Sequence, residues 1–101
     1  MWLFAMFDLP VDSREARRRY TRFRNHLIRD GFTMMQFSVY ARYCPSVEAS
    51  EVHRNRIRSA VPQEGHVRLL SVTDRQFGKM AVYHGRKRTP AEKPPPQLML
   101  F

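Results

Sequence analysis

An apolar run, Trp2-Leu3-Phe4-Ala5-Met6-Phe7, breaks at Asp8-Leu9-Pro10, and this first carboxylate of the 101-residue chain is the side chain best placed to meet a ligand. A run with no polar alternation predicts a strand covered on both faces. Its first polar residue then stands at the strand's C-terminal end, where α/β folds place ligand-contacting groups. A second reading stands beside it: Asp8 only caps or turns the chain, because Asp before a proline-containing turn often bonds its own backbone.

The other reactive pattern is cationic. Arg14, Arg17, Arg18, Arg19, Arg22, Arg24 and Arg29 fall between Ser13 and Asp30, with Glu15 and Asp30 standing only at the ends. A planar guanidinium grips phosphate oxygens bidentately, whereas lysine would serve solubility equally well. Like charges at Arg14/Arg18 and Arg18/Arg22 each cost a few tenths of a kcal/mol in a helix, about 0.2–0.5, which a bound anion removes. Other chemistries lack their residues. There is no Gly-rich phosphate loop, Ser/His/Asp set or paired-carboxylate signature. His26, His53, His66 and His84 have no mutual ligand spacing, and each is expected to be structural or on the surface. Cys44-Pro45 has no Cys or His at zinc spacing and reads as a small hydrophobe at a strand end.

These groups need elements to hold them. Asp12 and Glu15 predict a capping box opening a helix over 12–30, whose core face is Ala16, Tyr20, Phe23 and Leu27 and whose stop is Gly31. Residues 32–43 predict one strand, kinked at Gln36 or Ser38, with Phe37, Val39 and Ala41 on one face. Ser46 predicts the N-cap of a second helix that ends before Pro62. Its apolar stripe is Ala49, Val52, Ile57 and Ala60, and its polar side carries His53, Arg54, Arg56 and Arg58. Val67–Thr73 and Phe77–Tyr83 predict a hairpin joined by Asp74-Arg75-Gln76. The expected fold is α+β, a ferredoxin-like β-α-β-α-β-β sandwich with helices on one sheet face, spanning residues 1–85. Residues 86–101 read as a Pro-rich linker and a tail strand, Gln97-Leu98-Met99-Leu100-Phe101, suited to adding onto a neighbouring sheet edge.

Eighteen Lys plus Arg against nine Asp plus Glu give a formal net charge of +9. That bias points to a polyanion, because neutralised phosphates release condensed counterions. One cysteine, no signal peptide and no long apolar span predict a cytoplasmic chain with no membrane partner. One small domain with an uncovered apolar sheet face predicts a partner chain.

Taken together, Phe7-Asp8-Leu9-Pro10, the Arg-rich first helix, Gln36-Phe37-Ser38-Val39-Tyr40, residues Val67 to Gly78 and the short tail strand resemble the CRISPR-associated protein 2 family nearly end to end. The Thr73–Gly78 portion looks most like members from systems with a single-protein RNA-guided effector. The resemblance implies a ferredoxin-like homodimer packed sheet against sheet. It implies a DNA-binding scaffold of CRISPR adaptation, bridging dimers of the CRISPR integrase during spacer acquisition. Many members are also described as metal-dependent endonucleases on RNA or double-stranded DNA. There the residue matching Asp8 meets its mate across the two-fold axis and holds Mg²⁺ or Mn²⁺. The same resemblance makes Ser38 the hydroxyl that orients the metal water or the phosphate. With one carboxylate per protomer, such a cation keeps mostly water ligands and binds weakly. The candidate nucleic-acid contacts are Arg14, Arg17, Arg18, Arg22, Arg54 and Arg58. Leu98, Met99, Leu100 and Phe101 are the candidate dimer or partner contacts. A third reading is a basic RNA-binding domain of ferredoxin-like shape without catalysis. It would expose aromatic residues for stacking, whereas Phe4, Phe7, Phe37 and Phe77 lie in apolar contexts and are expected to be buried.

Overall fold

The apolar run forms β1 (Trp2–Asp8), and the chain continues through α1 (Arg14–Arg29), β2 (Thr33–Gln36), β3 (Val39–Tyr43), α2 (Val47–Ala60), β4 (His66–Val72), α3 (Asp74–Gly78), β5 (Val82–His84) and β6 (Lys87–Thr89). This computed structural model describes residues 1–89, with side chains through Arg86. The expected tail strand, with Leu98, Met99, Leu100 and Phe101, lies outside the described residues.

Four strands make an antiparallel sheet in the order β2-β3-β1-β4, with β1 central. The fold is α+β and ferredoxin-like, as the sequence indicates, but its element order is β-α-β-β-α-β followed by α3 and a separate β5–β6 hairpin. Two differences produce this. Residues 32–43 do not form one kinked strand, because the chain reverses at Phe37-Ser38 and β2 pairs back on β3. Ser38 takes a left-handed backbone, φ 61°, where a sequence reading looks for glycine or asparagine. The second difference follows β4. Thr73 and Gln76 form a reciprocal capping box, Thr73 Oγ1 accepting from the Gln76 amide and Gln76 Oε1 from the Thr73 amide, so Asp74–Gly78 is a short helix rather than a hairpin connection. The expected strand over Phe77–Tyr83 is reduced to Val82–His84. It pairs with Lys87–Thr89, in the segment whose composition reads as linker.

Alternation along β1 splits the core into two layers. Leu3, Ala5, Phe7 and Leu9 face α1 and α2, packing with Phe23, Leu27, Tyr40 and Ile57. Trp2 and Phe4 face the opposite side, where Phe77 of α3 covers them with Ala41. Trp2 and Phe77 stack at 4.0 Å between centroids and 12° between planes. Thus α3 covers the part of the sheet face opposite α1 and α2 that lies near the start of β1.

The caps are local. Ser13, not Asp12, caps α1, its hydroxyl accepting from the Ala16 amide at 3.0 Å. Ser46 caps α2 as expected. Gly31 follows α1 at φ 87°, and a Cβ there would collide with the Arg42 guanidinium. Asp30 does more than end a helix. Its carboxylate side chain is only 8% exposed and binds His53 Nδ1 and Arg56 Nη1, each at 2.7 Å, tying α1 to α2. His53, expected on the polar side of α2, is therefore buried, while Val52, expected in the stripe, is 47% exposed. Ser50 takes an inward place with its hydroxyl donating to the Val47 carbonyl.

Candidate functional site

Asp8 shares its side of β1 with Trp2, Phe4 and Met6, so it points to the face opposite α1 and α2, beyond the part α3 covers. The register sets its neighbours. Met6 lies opposite Val39 and Arg68, and Asp8 opposite His66, so Arg68 and His66 share its face across the strand pair. Asp8 is exposed. Among the described residues no hydrogen bond or ion pair occupies its carboxylate. Gly65, at φ 94°, brings the start of β4 against it, since a Cβ there would stand 2.7 Å from the Asp8 carbonyl oxygen.

Ser38 meets Asp8 through the sheet. The Phe7 amide donates to the Ser38 carbonyl at 3.0 Å, which pins the β2–β3 turn beside the end of β1. The Ser38 hydroxyl shares a 3.0 Å hydrogen bond with the Tyr20 hydroxyl of α1. A serine at positive φ costs about 1 kcal/mol or more, and these two bonds hold it there. Asp8, Ser38, Phe37, Val39, Met6 and Arg68 line one open cleft of about 220 Å³. The structure therefore brings together the two residues singled out as catalytic, Asp8 and Ser38. It adds Arg68, which sequence reading passed over within an apolar strand; a lone arginine flanked by Val67 and Leu69 was the signal.

A single exposed carboxylate with no competing partner has the donor chemistry of half a site for a hard, oxygen-seeking cation. Among the described residues no three His, Cys, Asp or Glu side chains converge as ligands.

The arginines divide into two kinds. Arg14, Arg17, Arg18 and Arg22 line one shallow groove along α1 with Thr21, Asn25 and Arg29, an almost continuous guanidinium surface. Arg17 also donates to the Val11 carbonyl. Others turn inward. Arg24, expected on the exposed face, donates from Nε to the Tyr40 hydroxyl at 2.9 Å. Arg54 donates to the Ser71 hydroxyl at 2.6 Å, bracing α2 on β4, whereas Arg58 stays exposed and donates to Asn55 Oδ1 on its own helix. Arg54 and Arg58 lie together over Ile57, Val67 and Leu69, apart from the α1 groove. Phe37, expected to be buried, is 78% exposed.

A strand-end carboxylate thus stands beside a positive-φ serine at one end of a ferredoxin-like sheet whose first helix is lined with arginines. The chain belongs to the CRISPR associated protein Cas2 family, whose model matches residues 1–80. It is 55% identical over 101 residues, the full length of both chains, to a protein of Parvibaculum lavamentivorans named CRISPR-associated endoribonuclease Cas2. Proteins of the same name from Flavobacterium psychrophilum and Paracidovorax avenae are 44% and 43% identical over this whole chain, covering 88% and 94% of theirs.

Proposed function

We propose that this chain acts in CRISPR adaptation as a homodimer packed through the sheet faces opposite α1 and α2, a duplex-DNA-binding scaffold that bridges dimers of the CRISPR integrase. We further propose that the two Asp8 copies hold Mg²⁺, or Mn²⁺, for endonucleolytic cleavage of RNA or double-stranded DNA. One observation carries the reading. Beyond the part of the sheet face that α3 covers stand Asp8 and Arg68, with a half-exposed Leu70 on the same face of β4. An apolar patch around a carboxylate suits a second copy, because pairing buries Leu70 and Met6 and brings the two carboxylates toward one axis.

In this reading each part of the cleft has a task. The Asp8 carboxylate supplies an oxygen ligand, and Ser38, held by Tyr20, offers a hydroxyl to a water or phosphate oxygen. Arg68 offers a guanidinium to the phosphodiester. A bound divalent cation supplies charge neutralisation and an acidified water for hydrolysis. The α1 groove needs none of this. Its guanidiniums follow a phosphate backbone without reading bases, which fits a scaffold.

The test is cleavage of labelled RNA and duplex DNA, run beside spacer integration with the integrase, for wild type and Asp8→Asn prepared identically. Metal-dependent cleavage is expected to vanish in Asp8→Asn while dimerisation, DNA binding and integration persist. Undiminished cleavage by Asp8→Asn would remove Asp8 from the reaction. Lost integration would make it more than a nuclease residue.

A further inference from the structure

Three aromatic rings climb from the core to the surface beside Asp8. Phe7 packs in the core against Tyr20 at 5.7 Å between centroids, and Tyr20 in turn lies under Phe37 at 5.9 Å with the two planes only 18° apart. The inner rung is buried and the middle one half-buried, yet the last ring is 78% exposed. Core packing does not explain the arrangement, since Phe37 hides little of itself. What holds it is the turn: the left-handed Ser38, pinned by the Phe7 amide and the Tyr20 hydroxyl, fixes Phe37 over Tyr20. A left-handed backbone is thus held at the turn that presents an exposed ring to solvent.

One guanidinium, that of Arg68, shares the cleft with that ring and suggests its partner. Phe37 lines the same cleft as Asp8 and Arg68, and Tyr20 beneath it belongs to the helix that carries the arginine groove. An exposed flat ring beside a guanidinium is a combination that holds single-stranded nucleic acid, the ring stacking on a base while the cation takes the backbone. We propose that Phe37 is a stacking platform for one unpaired nucleobase, which continues the Phe7-Tyr20-Phe37 ladder and sets the neighbouring phosphodiester toward Asp8 and Arg68. The site therefore selects single-stranded or frayed segments at the cleft, distinct from the paired backbone followed by α1. This rests on the nucleic-acid reading above and adds to it the form of strand taken at the Asp8 end.

The experiment uses the full chain in EDTA, so that binding is read without cleavage. The probes are a single-stranded oligoribonucleotide carrying one 2-aminopurine and a blunt duplex of the same length. Wild type is expected to quench the 2-aminopurine on binding. Phe37→Ala should lose that quenching and bind the single strand about fivefold to a hundredfold more weakly, the range for one stacked base. Its affinity for the blunt duplex should be unchanged, and Phe37→Trp should restore both single-strand readouts. Equal binding and quenching by Phe37→Ala would overturn the proposal. So would loss of the dimer in Phe37→Ala by sedimentation, which would assign the ring to contact between copies. Duplex binding by wild type without any quenching would overturn it while leaving the nucleic-acid reading standing; failure to bind either probe would sink both.

Discussion

Asp30 shows how one carboxylate can be mistaken for a cap. From sequence it stands at a helix end, where capping accounts for it, but in the fold it is the nearly buried junction of α1 and α2, bound to His53 and Arg56. Asp30→Ala should destabilise the protein by about 3 kcal/mol, because a buried group loses its partner. Arg56→Ala should cost under about 1 kcal/mol, since that guanidinium is 56% exposed and screened by water. Urea denaturation of the two variants checks the contrast, and equal losses would mean that the Arg56 contact dominates. A second residue-scale expectation concerns Cys44. Burial pushes its thiol above the ordinary range, with the Arg42 charge opposing, so less thiolate is present at any given pH. Alkylation by iodoacetamide should be slow at pH 8 in the native protein, rise only as the pH climbs past the usual thiol range, and become fast on unfolding. Rapid native labelling at pH 8 would contradict the buried placement.

At the scale of elements, β1, α1, α2 and β4 are legible because their signals are local and redundant: an apolar run, a four-residue stripe, the Ser46 cap and a terminal glycine, although the cap of α1 is Ser13 rather than the expected Asp12. The β2–β3 hairpin was not legible. Its turn rests on Ser38 at positive φ, held by bonds from Phe7 and Tyr20 that no local reading supplies. The missed α3 differs in kind, since Thr73-x-x-Gln76 is a capping box in plain view and was outweighed by the apolar residues after it. The candidate site was half legible. Asp8 announced itself by ending an apolar run, whereas Arg68 needed the register of β1 on β4 before it could be placed on the same face. The α1 groove leads to a further expectation. Replacing Arg17, Arg18 and Arg22 by Glu should weaken duplex DNA binding by at least a hundredfold at low salt with little change in the thermal midpoint, because these side chains face solvent. Unchanged affinity in a titration would locate the DNA elsewhere.

At the scale of the whole molecule, two copies would carry twice the +9 formal charge, so the sheet-to-sheet pairing must keep its arginine helices apart. The layering allows it: α1 and α2 cover one side of the sheet, and the open patch around Met6, Asp8 and Leu70 lies on the other. Sedimentation at micromolar concentration is expected to give a dimer that survives moderate salt, while affinity for duplex DNA falls steeply over the same range. A monomer under those conditions would defeat the pairing. No helix among the described residues is long and apolar enough to cross a membrane.

The stack of Trp2 on Phe77 has an experimental use. Trp2 is the chain's single tryptophan, is 3% exposed, and sits at the opposite end of β1 from Asp8, about 20 Å away by strand rise. Its fluorescence should be blue-shifted and indifferent to occupancy of the cleft, yet should redden as soon as α3 leaves the sheet. The protein thus carries a built-in optical gauge of its own integrity, readable while nucleic acid is bound.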